Sequence, residues 1–257
     1  MVDVATEAPE VVIPSSAEDA VSAFGDGGGT TVLAGGTIVM VELVHGRLAP
    51  RRVLMLERAG LSGIARNGDR VTIGAMTPVT ELEEAPDPLA TAARSVGDPE
   101  IRAQATLGGN LCAPPGLESP RGDLQAPLVA LGAEVRSAGA GGERSDPVEE
   151  FLASGPDGRL VLDVSFREPE AAATASVRRP HAHAYTILAV HGARTRDGLR
   201  LAASGAGPRA VRLRSAEQGD ASRALDDATL TDDAVASAWY RERTLPVLVG
   251  RVLSQLA

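Results

Sequence analysis

The sequence predicts an α+β fold, with two α/β lobes at 1–57 and 58–168 and a small C-terminal domain at 174–257 made of an antiparallel sheet and helices. Three observations predict it. Residues 1–57 alternate strand-like and helix-like runs in a βαβ-like order. Two glycine stretches, Leu33-Ala34-Gly35-Gly36-Thr37 and Ala105-Thr106-Leu107-Gly108-Gly109-Asn110, each stand beside an apolar run, roughly seventy residues apart. The composition then changes at Glu168-Pro169-Glu170 and the alanine-rich Ala171 to Ala175, and strand-like runs and a helical tail follow.

Each element has its own signal. Ala17, Ala20, Val21 and Phe24 recur at helical spacing behind Ser15 or Ser16, either of which can cap, and Gly27-Gly28-Gly29 ends that helix. Thr31-Val32-Leu33 reads as a strand entering the first glycine stretch. Ile38 to Val44 reads as a short helix leaving it, and Val53 to Leu56 as a further strand. Gly63-Ile64-Ala65 and Arg70 to Ile73 flank Asn67-Gly68-Asp69, a hairpin signal. Thr77-Pro78 predicts a capped helix running through Glu84, since proline suits a first turn. Leu89 to Val96 is helix-like, Gly158 to Phe166 alternates like a strand, and Tyr185 to Val190 and Leu199 to Ala203 are strand-like. The tail reads as a helix from Thr231, broken or restarted at Pro246.

Composition excludes several functions. Of 257 residues 44% are hydrophobic, but only six are aromatic (Phe24, Phe151, Phe166, Tyr185, Trp239, Tyr240), so the cores must be aliphatic. A net charge of −9 argues against nucleic acid, whose binders need a basic face to displace counterions. The single Cys112 leaves no intramolecular disulfide and no thiolate-only metal site, and nothing near it promises a lowered pKa, so a buried, inert thiol is expected. With no basic, apolar leader and no apolar run near the ~20 residues that a bilayer crossing needs, a cytoplasmic protein is expected. No G-x-x-x-x-G-K-[ST] and no G-x-G-x-x-G occurs, which weighs against nucleotide hydrolysis and a Rossmann domain. His181 and His183 would share one strand face, but no acidic or cysteine partner lies beside them or His191, so packing or surface roles are expected and no metal.

The glycine stretches carry the chemistry. Residues without a Cβ let the backbone approach an anion and turn its N–H groups toward it. Two such stretches can hold both sides of one phosphate-bearing cofactor. Leu33 to Thr37 and Ile101 to Leu111 resemble the two FAD-binding signatures of the flavin-binding medium subunit of the molybdenum hydroxylase family, which includes aerobic carbon monoxide dehydrogenase and xanthine dehydrogenase. Val71 to Thr77, Pro127 to Ala133, Arg178-Arg179, Gly205 to Ala210 and Ser237 to Arg241 extend the resemblance in one collinear order over nearly the whole chain.

The resemblance implies a PCMH-type FAD-binding domain and a non-covalently held FAD, contacted by Val32, Leu33, Ala34, Gly35, Gly36, Thr37, Ile38 and Val39 on one side and by Thr106, Leu107, Gly108, Gly109 and Asn110 on the other. Asp123 resembles the family aspartate that binds the cofactor's sugar hydroxyls; a turn or cap role before Leu124 is the alternative. Leu160 or Leu162 would pack on the isoalloxazine, or belong to the core. The sequence departs from the family in a lengthened loop, Pro114 to Glu118, and in Thr174 to Val177, which stand where many relatives carry a lysine; Arg178 or Arg179 is a candidate substitute. No aromatic lies near the second stretch to stack on the flavin; Tyr185, in the C-terminal domain, is the only nearby candidate, and packing is the role expected of it. The implied enzyme is a multi-subunit oxidoreductase. A molybdopterin large subunit and a 2Fe-2S small subunit would send electrons to FAD here, for delivery to NAD, a quinone or oxygen. The alternatives are a flavin-binding or degenerate assembly subunit without turnover, and a stand-alone flavin oxidase.

Overall fold

The computed structural model describes residues 8–115, 122–156, 158–179 and 185–257. It is an α+β protein of three sheets, each built from a consecutive stretch of chain.

The first sheet is small and parallel. β1 (Glu10–Val12), β2 (Thr30–Leu33) and β3 (Arg52–Met55) lie in the order β1-β3-β2, with α1 (Ala17–Phe24) and α2 (Val39–Val44) as crossovers. Ser16 caps α1 by accepting from the Asp19 N–H at 3.0 Å. The helix stops at Gly25, whose φ of 60° only glycine adopts readily, so the turn comes before the predicted Gly27-Gly28-Gly29. β1 lacks any predicted counterpart, because three residues are too few for an alternation to show.

The second sheet has five strands in the order β4-β5-β8-β6-β7, all antiparallel. β4 (Ile64–Asn67) and β5 (Arg70–Gly74) form the predicted hairpin with Gly68 in the left-handed region. Four short helices follow: α3 (Leu89–Ala93), α4 (Pro99–Gln104), α5 (Leu107–Leu111) and α6 (Gln125–Ala130). β6 (Glu134–Gly139), β7 (Gly142–Pro147), α7 (Val148–Ser154) and β8 (Leu160–Arg167) complete the unit. The helix predicted behind Thr77-Pro78 is only a 3-10 turn at Glu81–Glu84. Thr77 is buried, its hydroxyl accepting from the Gly63 N–H at 2.9 Å and donating to the Gly63 carbonyl at 3.2 Å, so it ties down the hairpin entrance instead of capping. Pro78 forms an isolated bridge to Thr106. Tertiary partners have overridden the local signal.

The third sheet is antiparallel, β12-β11-β10-β9, from β9 (Ala171–Arg178), β10 (Thr186–Thr195), β11 (Gly198–Ser204) and β12 (Val211–Arg212). The long α8 (Ala238–Leu256) packs on β9 and β10. It starts seven residues after the predicted Thr231, because Asp232 and Asp233 accept from the amides of Ala238, Val235 and Ala236 and hold that stretch as a loop, and Ser237 caps the helix. It also runs unbroken through Pro246, since Leu245, Leu248, Val249, Val252 and Leu256 bury one face against the sheet.

Three apolar clusters follow this plan. One lies inside the second unit and includes Ala193 and Ala202 of the third sheet; one lies between the third sheet and α8; one joins α1 and β3 to Leu160 and Leu162 of β8. The first and second units therefore share a core along a seam, and the glycine stretches lie beside it.

Candidate functional site: a cleft between the two glycine loops

A cleft of about 720 Å³ opens between the first and second units, within the size range of small-molecule sites. Thirteen of the fifteen expected contact residues line it, Leu33 and Leu107 being the two that do not. Strand periodicity accounts for Leu33: Thr30, Val32 and Ala34 point into the cleft from one face of β2, and Leu33 points away. Leu107 is fully buried in the core of the second unit.

The two glycine stretches do different work. In the first, no described residue accepts from the backbone amides of Gly35, Gly36, Thr37 or Ile38, so four consecutive N–H groups stand unengaged at the cleft wall. Gly36 supports this with a φ of 77°. Such a row of donors fits an anion. Gly35 serves another end: a Cβ there would run into the Gln104 carbonyl oxygen, so its bareness lets the two loops touch.

In the second stretch the amides are engaged. Leu107 donates to the Thr77 carbonyl (3.0 Å), Gly108 to the Ala75 carbonyl (2.8 Å) and Gly109 to Thr106 Oγ1 (3.2 Å). This loop is therefore a rigid wall, clamped onto the chain that follows β5. The donors this loop leaves free are side-chain groups. Thr106 keeps its hydroxyl hydrogen, and Asn110, whose Oδ1 accepts from the Leu124 N–H at 2.8 Å, keeps its carboxamide N–H groups. That Asn110 bond also draws the chain back after the loop and sets Asp123 at the cleft wall. Asp123 and Asp98 contribute carboxylates to the lining. Leu160 lines the cleft while staying in the shared core, and Leu162 belongs to the core alone.

Several lining residues escaped the sequence reading. Asp98 caps α4 by accepting from the Ile101 N–H at 2.8 Å; its Asp-Pro pair is a helix-start signal that points to the turn but not to the cleft. Met76 lines it too, and no local pattern reveals that. Arg159 enters from the start of β8. Against the packing role expected of it, Tyr185 is 46% exposed and lines the cleft. Cys112 also lines it; burial pushes its thiol up to about 12, only partly offset by Arg209, and a protonated thiol is a poor nucleophile. The chain contains no lysine. Neither candidate substitute takes that place in the cleft: Arg179 donates to the Ala234 and Val235 carbonyls and Arg178 is exposed on β9. Thr174 is hydrogen-bonded to His191 Nδ1 at 3.0 Å. His181, His183, Pro120, Arg121 and residues 116–118 lie outside the described residues. Among the described residues no cluster of His, Cys, Asp or Glu could hold a metal, and no helix is long and apolar enough to cross a membrane.

The residues present fit a phosphate-bearing dinucleotide: unengaged amides, hydroxyl and carboxamide donors, carboxylates for sugar hydroxyls, and apolar walls for rings. Comparisons with known proteins agree. The profile of a family described as "FAD binding domain in molybdopterin dehydrogenase" matches residues 6–166. The xanthine dehydrogenase FAD-binding subunit of Escherichia coli O157:H7 is 28% identical, with 92% of each chain covered. The 6-hydroxypseudooxynicotine dehydrogenase complex subunit alpha of Paenarthrobacter nicotinovorans is 27% identical over 96% of this chain and 93% of its own. A solved carbon monoxide dehydrogenase from Hydrogenophaga pseudoflava, lacking the Mo-pyranopterin moiety of its molybdenum cofactor, superposes with a TM-score of 0.83 at 22% identity, covering 97% of each chain. The chain belongs to the FAD-binding domain family of the molybdopterin dehydrogenases.

Proposed function

We propose that this chain is the electron-transferring flavoprotein subunit of a molybdenum-dependent dehydrogenase, organised as two FAD-binding lobes (1–57, 58–168) and a C-terminal domain (174–257). The row of unengaged amides from Gly35 to Ile38 carries the reading, because consecutive backbone donors at a cleft wall suit a dinucleotide's pyrophosphate. When bound, FAD supplies redox chemistry that takes electrons arriving from 2Fe-2S clusters and passes them on to NAD, a quinone or oxygen.

The chain's own residues bind and orient. The first loop holds phosphate, the clamped second loop and Asn110 set the opposite wall, and Asp123 accepts from sugar hydroxyls. With one cysteine the chain cannot ligate a 2Fe-2S cluster itself, so the clusters and the molybdopterin belong to partner subunits. One surface feature supports partners. Val39 and Val41 of α2 line the cleft, none of the helix's six residues is buried, and Val44 is 79% exposed. An apolar helix next to a cofactor cleft is the kind of surface another chain covers.

The test is reconstitution followed by co-expression. The purified full-length chain should retain FAD through gel filtration and release it intact on acid treatment. It should show no substrate oxidation alone. Co-expressed with its molybdenum and iron–sulfur partners it should copurify, with flavin bleached on adding substrate. Bound flavin that stays oxidised in such a complex would favour the assembly-subunit alternative, and substrate turnover by the isolated chain would favour a stand-alone oxidase.

A further inference from the structure

We propose that Arg159 is a cofactor-binding residue, donating through Nη1 to an oxygen or nitrogen acceptor on one half of the FAD. The inference rests on the flavin reading above and names a contact that the glycine motifs do not include.

Arg159 stands at the entrance of β8, next to Leu160 in the cleft wall, and its side chain is only 11% exposed. Its orientation is fixed from behind. Nη2 pairs with Asp146 at 2.7 Å and donates to Ser137 Oγ, and the guanidinium lies 5.7 Å from the centre of the Phe151 ring. The other terminal nitrogen, Nη1, is buried and has no hydrogen-bond partner among the described residues. A guanidinium N–H stripped of water and left unmet is destabilising, and buried donors without partners are rare in native proteins. Arg159 also lines the cleft, so a ligand seated there lies against this residue.

Charge makes the role specific. Arg159 is the only basic side chain among the described residues lining the cleft, and the chain has no lysine to bring there. Asp146, itself also paired with Arg144, neutralises much of the Arg159 charge. The guanidinium is therefore an oriented donor more than a source of positive field. That suits a single ring nitrogen, ring carbonyl or sugar oxygen, whereas the amides of the first loop already serve the phosphates.

The substitution that isolates the contact is Arg159→Lys, which keeps one cation for Asp146 and removes the second donor nitrogen. The full-length chain, wild type and variant, would be titrated with FAD, ADP and FMN, with thermal melting of the apoprotein as the check on folding. The expected result is a Kd for FAD raised about tenfold or more, the scale of one charge-assisted hydrogen bond. The loss should fall on ADP alone or on FMN alone, which identifies the half contacted. An unchanged FAD affinity overturns the proposal. So do equal losses for ADP and FMN accompanied by a lowered apoprotein melting temperature, which mark a structural role. Failure of the wild-type chain to bind FAD at all would instead sink the flavin reading.

Discussion

Gly35 and Gly109 look equivalent as letters and differ as atoms. A Cβ on Gly35 meets the backbone carbonyl of Gln104, which cannot swing aside, so Gly35→Ala should force the loops apart. The expected outcome is a loss of about 1–3 kcal/mol in urea unfolding of the apoprotein, together with weaker FAD binding. Gly109 lies inside α5, and its Cβ would meet only Thr106 Oγ1 at 3.0 Å and the Ala34 methyl at 4.0 Å. A hydroxyl can give by a few tenths of an ångström, and alanine favours a helix over glycine by about 1 kcal/mol. Gly109→Ala should therefore leave the melting temperature unchanged or slightly higher while raising the Kd for FAD, since the new methyl stands in the cleft. Wild-type FAD affinity in that variant would show that Gly109 does not face the cofactor.

At the scale of elements, legibility followed how local the cause was. The α1 cap and the β4–β5 hairpin are set by neighbouring residues, and each was readable; β8 was readable as a strand, but it is buried on both faces and does not alternate in burial. Thr77 misled because its partner, Gly63, is fourteen residues away, and Arg159 was invisible because Asp146 and Ser137 define its pose from other strands. The glycine stretches were legible as a pair, but not the division of labour that leaves one row of amides open and clamps the other. Pro246 is the clearest conflict between local and tertiary terms. Inside α8 it removes the bond to the Glu242 carbonyl, a cost of up to ~3 kcal/mol. Burial of the Leu245, Leu248, Val249 and Val252 face offsets that loss. Pro246→Ala should raise stability by about 1–3 kcal/mol in urea unfolding. No gain would mean that the helix already bends to release that carbonyl.

At the scale of the whole molecule, the third sheet is fastened to the rest by contacts of unlike strength. Glu149 of α7 pairs with Arg212 at 3.3 Å and Arg214 at 2.6 Å, partly exposed ion pairs that weaken with salt. α6 packs on β10 and β11, burying Ala193 and Ala202 in the core of the second unit. His191 shares that face of β10 with Ala193, two residues on, and is itself buried. Burial pushes its imidazole down to about 4, with the Asp87 carboxylate pulling weakly the other way, and its Nδ1 meets the Thr174 hydroxyl. The native state thus holds His191 neutral, whereas the unfolded chain protonates it near its usual value of about 6.5. Between those two values the unfolded state binds more protons, so stability rises with pH there, is complete above about 6.5 and is lost as pH falls towards 4. The loss is on the order of 3 kcal/mol if His191 acts alone. His191→Gln keeps a polar group for Thr174 without the titration, and its unfolding free energy should fall less between pH 7 and 4 than the wild type's. Parallel profiles for the two proteins would remove His191 as the cause.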